Sequence, residues 1–336
     1  MRKTRIFING FGRIGRSAAR IILGRDDMEL VGINDLYAAE QMAYLLKYDS
    51  VYGTLSMDIR AEGERLWIDG VDIPIYREPS PEALDLRPLG VDVLLQCSGM
   101  FLTMASNRPY IENGAGRVVV STPPSDAMPT YICGVNTDAY AQEPILSNSS
   151  CSANAIVPIL KSIEKHCGIR GAQMHMFHSY TAYQNLLDVK HYGADIRRAR
   201  AAAANIIPLS SSAAKATAYF FPKLEGELYA KSIRIPVAAT TMYDLLIKLD
   251  GSYDLVYIRE RLLEEIAGQY RGILSSSTEP KVSSDYIAST YSATIDLPLL
   301  DLAGENLLRV SAWQDNEYGY ACRLIEMAKV VSAQLL

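Results

Sequence analysis

The sequence has no apolar run approaching the ~20 residues that span a bilayer. The segment after Met1 enters an apolar strand pattern directly, without a signal-peptide core or cleavage site. No sign of charge dominates: 33 Lys and Arg stand against 38 Asp and Glu, a net −5, and the basic residues are scattered. A nucleic-acid footprint needs clustered basic charge, so neither nucleic acid nor membrane is an expected partner. Cysteine is scarce and badly spaced for bridging, with five at 97, 133, 151, 167 and 322 and no Cys-x-x-Cys. An odd count at wide intervals argues against a disulfide framework and a structural metal, and for a reducing cytoplasm. Internal repeats, low-complexity tracts and disordered linkers are lacking too. What remains is ordinary globular usage, 49% hydrophobic and 21% charged over 336 residues, long enough for two domains.

The first half alternates short apolar runs with helical patterns. Strands are expected at 6–8, 30–33, 91–95, 118–120 and 145–146, with a helix at 13–23. This alternation predicts a parallel sheet with helices on both faces, an α/β Rossmann-type domain over 1–150. An Asp-Gly pair at 69–70 suggests an inserted hairpin. Near residue 150 the texture changes. A helix with Ile156, Ile159, Leu160 and Ile163 on one stripe leads into longer strands at 172–177, 229–235 and 241–249, an α+β domain with a largely antiparallel sheet over 151–316. A long irregular stretch, 183–212, separates them. A terminal helix, within 317–336, carries Ala321, Leu324, Ala328, Val331 and Leu335 on one face.

Two constellations carry chemistry. Gly10, Gly12 and Gly15 form Gly-x-Gly-x-x-Gly between a strand and a helix, where glycines allow a tight turn and helix N–H groups can meet a pyrophosphate. Asp35 closes a second strand 20 residues past Gly15, placed to accept from an adenosine ribose and to repel a 2′-phosphate. A solvated Asp after a Gly-rich turn is the plain alternative. The second is Ser-Asn-Ser-Ser-Cys-Ser-Ala-Asn at 147–154, which puts Cys151 at a helix N-terminus where the dipole favours thiolate. Of four histidines, His178 ends a strand before the long loop and could reach the sulfur as a base. His166 reads as a helix C-terminal charge and His175 as a sheet-face residue.

At these residues the chain resembles phosphorylating glyceraldehyde-3-phosphate dehydrogenase, over essentially its whole length. The matching stretches include Ile-Asn-Gly-Phe-Gly-Arg-Ile-Gly-Arg (8–16), Leu-Leu-Lys-Tyr-Asp-Ser-Val-Tyr-Gly (45–53), Ser-Asn-Ser-Ser-Cys (147–151) and His-Ser-Tyr-Thr (178–181). Asp-Ile-Arg-Arg-Ala-Arg-Ala-Ala (195–202), Arg-Ile-Pro (234–236) and Asp-Asn-Glu-Tyr-Gly-Tyr (315–320) follow. The resemblance implies that the terminal helix completes the first domain. It implies a Cys151 thiohemiacetal and thioester with His178 taking the proton, hydride transfer to NAD, and release of an acyl phosphate by inorganic phosphate. It implies cofactor contacts at Arg13, Ile14, Arg77, Ser121 and Asn316. Thr181 and Arg234 would hold the substrate phosphate. Ser150, Ser152, Arg198 and Ser211 match the pocket of the attacking phosphate, and Ser212, where the family has Gly, is a further candidate beside them. A homotetramer is implied, with the loop at about 183–205 reaching a neighbour's cofactor. Lys190 in that loop leaves NADP open as a second cofactor.

Several positions depart from the family pattern. Ala153 replaces a Thr, Gln96 a Glu and Gln314 a Tyr, and Val-Ala-Ala-Thr-Thr occupies 237–241. Tyr183 is bulky where a small polar or acidic residue is usual; in an extended segment it would share a face with Thr181 and line the phosphate pocket, and turned outward it would pack at a subunit interface instead. These changes leave erythrose-4-phosphate dehydrogenase as the alternative activity. A weakly catalytic NAD-binding paralogue with a protein partner is a third reading, opposed by the joint retention of Cys151, His178, Arg234 and Asn316.

Overall fold

The computed structural model describes residues 2–191, 195–333 and 335. Residues 192–194 of the expected loop, and 334 and 336 of the terminal segment, lie outside the described residues. The chain forms two compact units, Met1–Ser150 with Tyr320–Leu336, and Cys151–Gly319.

In the first unit six strands run parallel in the order Ile145–Ser147, Arg117–Val120, Val93–Gln96, Thr4–Asn9, Met28–Asn34, Val71–Tyr76. Parallel neighbours need crossovers, and the helices Arg13–Leu23 and Met104–Glu112 supply two of them. Such strands are covered on both faces and read as unbroken apolar runs; all four residues of Val93–Gln96 are buried. Phe7, Leu94, Tyr110, Val118 and Ile145 pack into one core cluster. Val71–Tyr76 also pairs antiparallel with Arg65–Ile68. Their turn has Asp69 and Gly70 both at positive φ, as a two-residue hairpin of matching twist requires. From Thr4–Asn9 the chain order departs in both directions, so the carboxyl end of that strand borders a crevice.

The second unit holds a sheet in the order Ile207–Ser210, Leu228–Ile235, Ile169–Ser179, Thr241–Leu249, Leu307–Gln314, Ala293–Asp296, Leu274–Ser277. It is largely antiparallel, with two parallel pairs. The stretch expected to be irregular up to 212 instead contains the edge strand Ile207–Ser210 and short 3-10 turns at Ile196–Ala199 and Ala202–Ala204. Pairing with Leu228–Ile235 overrides the loop-like local composition, because an edge needs only backbone groups to be satisfied. The helix Cys151–Cys167 is buried from Ser152 through Leu160 and tolerates Pro158.

Candidate active site

The three glycines of the first unit play three different steric roles. A Cβ at Gly10, where φ is +94°, would lie 2.3 Å from the Ser98 nitrogen. At Gly15 it would lie 2.1 Å from the Gly10 carbonyl oxygen. At Gly12 it would meet nothing within 4 Å, so that glycine leaves room for something outside the chain. Gly10 and Gly12 line a cleft of about 270 Å³ with Asp35, Asn34, Ser98 and Phe101. The last three were not singled out from sequence. The Asp35 carboxylate closes the loop by accepting from the Phe11 N–H (2.5 Å) and the Leu36 N–H (2.7 Å). Arg77 donates to the Leu36 carbonyl at 2.9 Å, which places its guanidinium at the same strand end.

The remaining first-unit candidates are placed less directly. The Arg13 side chain turns to an ion pair with Asp49 and lies over the Tyr52 ring, so its backbone at the first turn of the helix is the part that borders the loop. Ile14 is half-buried on that same turn. Ser121 is buried just past Arg117–Val120, its N–H donating to the Gln96 carbonyl.

In the second unit, strand register assembles a row. Arg234 pairs with His178, His178 with Thr241, and Thr241 with Gln314, across four adjacent strands. Directly paired residues point to one face of a sheet, so four polar side chains converge. The Ser179 carbonyl accepts twice, from His178 Nδ1 at 2.7 Å and from Arg234 Nη1 at 3.0 Å. A carbonyl can only accept, so Nδ1 carries the imidazole proton and Nε2 presents a lone pair. Burial, then the Arg234 charge, push the His178 pKa down to about 3, so the ring is neutral near pH 7. Burial also lowers the Arg234 pKa, opposed by the charge of Cys151 and reinforced by that of Arg198. Arg234 Nε is buried without a hydrogen-bond partner among the described residues, and its repulsion with the Arg198 guanidinium marks a place suited to an anion.

Cys151 is the first residue of its helix, as the sequence indicates. Ser149 before it takes φ +57°, a left-handed turn between the Ile145–Ser147 strand and the helix that its residue type did not announce. The expected depression of the thiol pKa is not found. Burial pushes it up, outweighing the Arg234 charge, the Ser152 hydroxyl and the N–H groups of Ser152 and Cys151, which all pull it down. Among the described residues no hydrogen bond joins the sulfur to His178. The two are linked through Arg234, which acts on both.

Asn316 accepts from the Ser179 hydroxyl through Oδ1 at 3.0 Å, which orients its amide. Thr181 donates from both N–H and hydroxyl to Gln184 Oε1, at 2.7 and 2.9 Å. Residues 181–184 therefore form a turn rather than an extended segment, closed by Gln184 N–H to the Thr181 carbonyl. Tyr183 does not share a face with Thr181 and is 69% exposed, so the expected phenol lining the phosphate pocket is not there. Ser211 Oγ accepts from the Ala213 N–H, and Ser212 is exposed beside it; among the described residues neither is hydrogen-bonded to Arg198 or Arg234. Ser150 immediately precedes the helix and Ser152 is buried in its first turn. Sequence reasoning missed Ser179, Gln184, Thr241 and Tyr243. Only register and turn geometry reveal them, and neither is written in a local pattern.

Residues 4–104 match the glyceraldehyde 3-phosphate dehydrogenase NAD binding domain, and residues 150–316 match the C-terminal domain of the same family. Among curated relatives, the glyceraldehyde-3-phosphate dehydrogenase of Priestia megaterium is 39% identical over 98% of this chain and 98% of its own. That of Geobacillus stearothermophilus is 37% identical, again over 98% of each. The chloroplastic A form of Zea mays is 36% identical over 99% of this chain and 83% of its own.

Proposed function

The chain belongs to the glyceraldehyde-3-phosphate dehydrogenase family, and on that premise we propose that it oxidises glyceraldehyde 3-phosphate to 1,3-bisphosphoglycerate with NAD and inorganic phosphate. One observation carries the chemistry: the half-buried Arg234 acts on both the helix-terminal thiol of Cys151 and the neutral imidazole of His178, whose Nε2 presents a lone pair. The Cys151 sulfur adds to the aldehyde carbon, and the thiol proton passes to His178 Nε2. The substrate phosphate is held by Thr181 and Arg234, the latter able to present two N–H donors. Ser150, Ser152, Arg198, Ser211 and Ser212 are assigned to the attacking inorganic phosphate, with the like charge of Arg198 beside Arg234 as support. That phosphate displaces the thioester sulfur and releases the acyl phosphate.

The cofactor residues fit NAD. Gly12 leaves room for a pyrophosphate, and Asp35 at the strand end suits a ribose diol. Bound NAD supplies the hydride acceptor. Gly10, Gly15, Arg13, Ile14, Arg77 and Ser121 shape its cleft, and Asn316, its Oδ1 committed to Ser179, offers amide hydrogens to the carboxamide. Like charge at Asp35 sets NAD above NADP. The family assembly, a homotetramer, is proposed here too. Its support is the loop that leaves Leu186, Leu187, Ile196 and Ile206 exposed in the single chain. A cytoplasmic location is supported by five thiols that are all unbridged.

The test is NADH formation with each aldehyde phosphate, with and without inorganic phosphate. Phosphate-dependent turnover with a higher kcat/KM for glyceraldehyde 3-phosphate than for erythrose 4-phosphate is expected. The reverse preference would overturn the substrate assignment.

A further inference from the structure

Gln314 stands where the family pattern has Tyr, and its side chain is almost wholly buried, at 1% exposure. A buried amide must satisfy both of its ends. Tyr243, itself fully buried, donates its hydroxyl to Gln314 Oε1 at 2.7 Å. Gln314 Nε2 donates to the Cys151 carbonyl at 3.1 Å. The order of donors has one solution. A carbonyl oxygen can be faced only by the NH₂ end, so Oε1 faces the phenol and the phenol must donate. Tyr243 pairs across the sheet with Ala312, a small residue that leaves its ring room, two positions from Gln314. The phenol missing from position 314 is thus supplied from the neighbouring strand, with an amide between it and the helix.

We propose that Tyr243 and Gln314 are positioning residues that fix the first peptide plane of the Cys151–Cys167 helix and so aim the Ser152 N–H at the nucleophile. A peptide unit is planar and trans, so its C=O and N–H point in opposite directions. Holding the Cys151 carbonyl on one side holds the Ser152 N–H on the other. Burial raises the Cys151 thiol pKa, and the Ser152 N–H is among the groups that pull it back down. Removing the phenol leaves Oε1 without its donor and lets the amide rotate, and the plane keeps only the bond its carbonyl accepts within the helix. The inference rests on Cys151 being the nucleophile of the proposed reaction, but needs no particular aldehyde.

The experiment follows iodoacetamide labelling of Cys151 by peptide mass spectrometry against pH, on folded enzyme without aldehyde, in the parent, Tyr243→Phe, Gln314→Leu and the double variant. Each single change is expected to move the labelling profile upward by about half to one pH unit, the size of one modest hydrogen bond. The double variant should move no further than the larger single, because both act through one carbonyl. A profile unmoved in Tyr243→Phe, even with a lowered melting temperature, overturns the relay. So do additive shifts in the double variant. The Tyr243 hydroxyl also bonds Ser152, so if Gln314→Leu fails to fold, Gln314→Met takes its place, and an unmoved profile in that variant overturns the relay. Absence of Cys151 labelling in the parent overturns the nucleophile assignment and the relay together. A shifted profile with no turnover of either aldehyde phosphate supports the relay and tells against the substrate instead.

Discussion

At the scale of single residues, the glycines and the histidine make opposite kinds of demand. Gly10 and Gly15 are required by the chain itself, Gly12 by the space beside it. Gly10→Ala should therefore destabilise the fold, by the ~1–3 kcal/mol typical of a side chain forced into such backbone plus the collision with Ser98. Gly12→Ala should melt like the parent and raise the KM for NAD at least severalfold. Thermal melts and initial rates on the two variants separate these outcomes. His178 has its folded pKa, about 3, below an ordinary value of about 6.5. The unfolded chain then binds more protons between those values, and stability falls as pH drops through that window. The loss at pH 5 is roughly 2 kcal/mol, from one and a half pH units at 1.36 kcal/mol each. His178→Gln should accordingly lose less melting temperature than the parent between pH 7 and pH 5, while its NADH formation collapses. An equal loss of melting temperature would show that the imidazole is not buried in its neutral form.

At the scale of elements, the helix Cys151–Cys167 is tied at both ends. Gln314 holds its first carbonyl, and at its last turn Lys165 and His166 both engage Glu265 of the helix Leu255–Ala267, at 2.6 and 2.8 Å. Burial would raise the Glu265 carboxyl pKa, and hydrogen bonds from Lys165 and His166 outweigh it and hold the carboxyl below its ordinary range. A depressed carboxylate stabilises above its unfolded pKa, and that contribution fades as pH falls through the folded one. Glu265→Gln should cost about 1–3 kcal/mol near pH 7, scaled from hydrogen bonds to charged groups, with the difference shrinking below pH 4. Denaturant titrations at both pH values check it. The helix was legible in sequence from its apolar stripe and Cys151 was legible from its polar turn. The two ties were not. His166 read as a charge at a helix end; it lies in the last turn, and its partner is 99 positions away. Gln314 and Tyr243 meet only because Thr241–Leu249 and Leu307–Gln314 pair in one register, and a slip of one residue would turn each to the other face. The glycine loop is local and its context is short, so its strand–turn–helix setting was legible, whereas Asn34, Ser98 and Phe101 reach the cleft only through the fold. The edge strand Ile207–Ser210 was missed because its pairing, not its composition, makes it a strand.

At the scale of the whole molecule, the proposed tetramer would cover the apolar side chains Leu186, Leu187, Ile196 and Ile206, all exposed in the 183–206 loop of the single chain. Light scattering should give a mass of about four chains. Leu187→Asp should shift it toward smaller species and weaken NAD binding with it, whereas an unchanged mass and affinity would remove the loop from the assembly. The loop leaves the sheet just after Ser179, whose carbonyl oxygen accepts from both His178, the proposed base, and Arg234, the proposed anion-binding group. Retuning this enzyme to an uncharged aldehyde would call for replacing Arg234, and that change also withdraws one of the two donors that keep the 179 peptide in place. The imidazole shares that acceptor, so substrate range and proton transfer are not separately adjustable. A library selected at position 234 alone should trade turnover for new specificity, and recovery should come from second changes that restore a donor to that one oxygen.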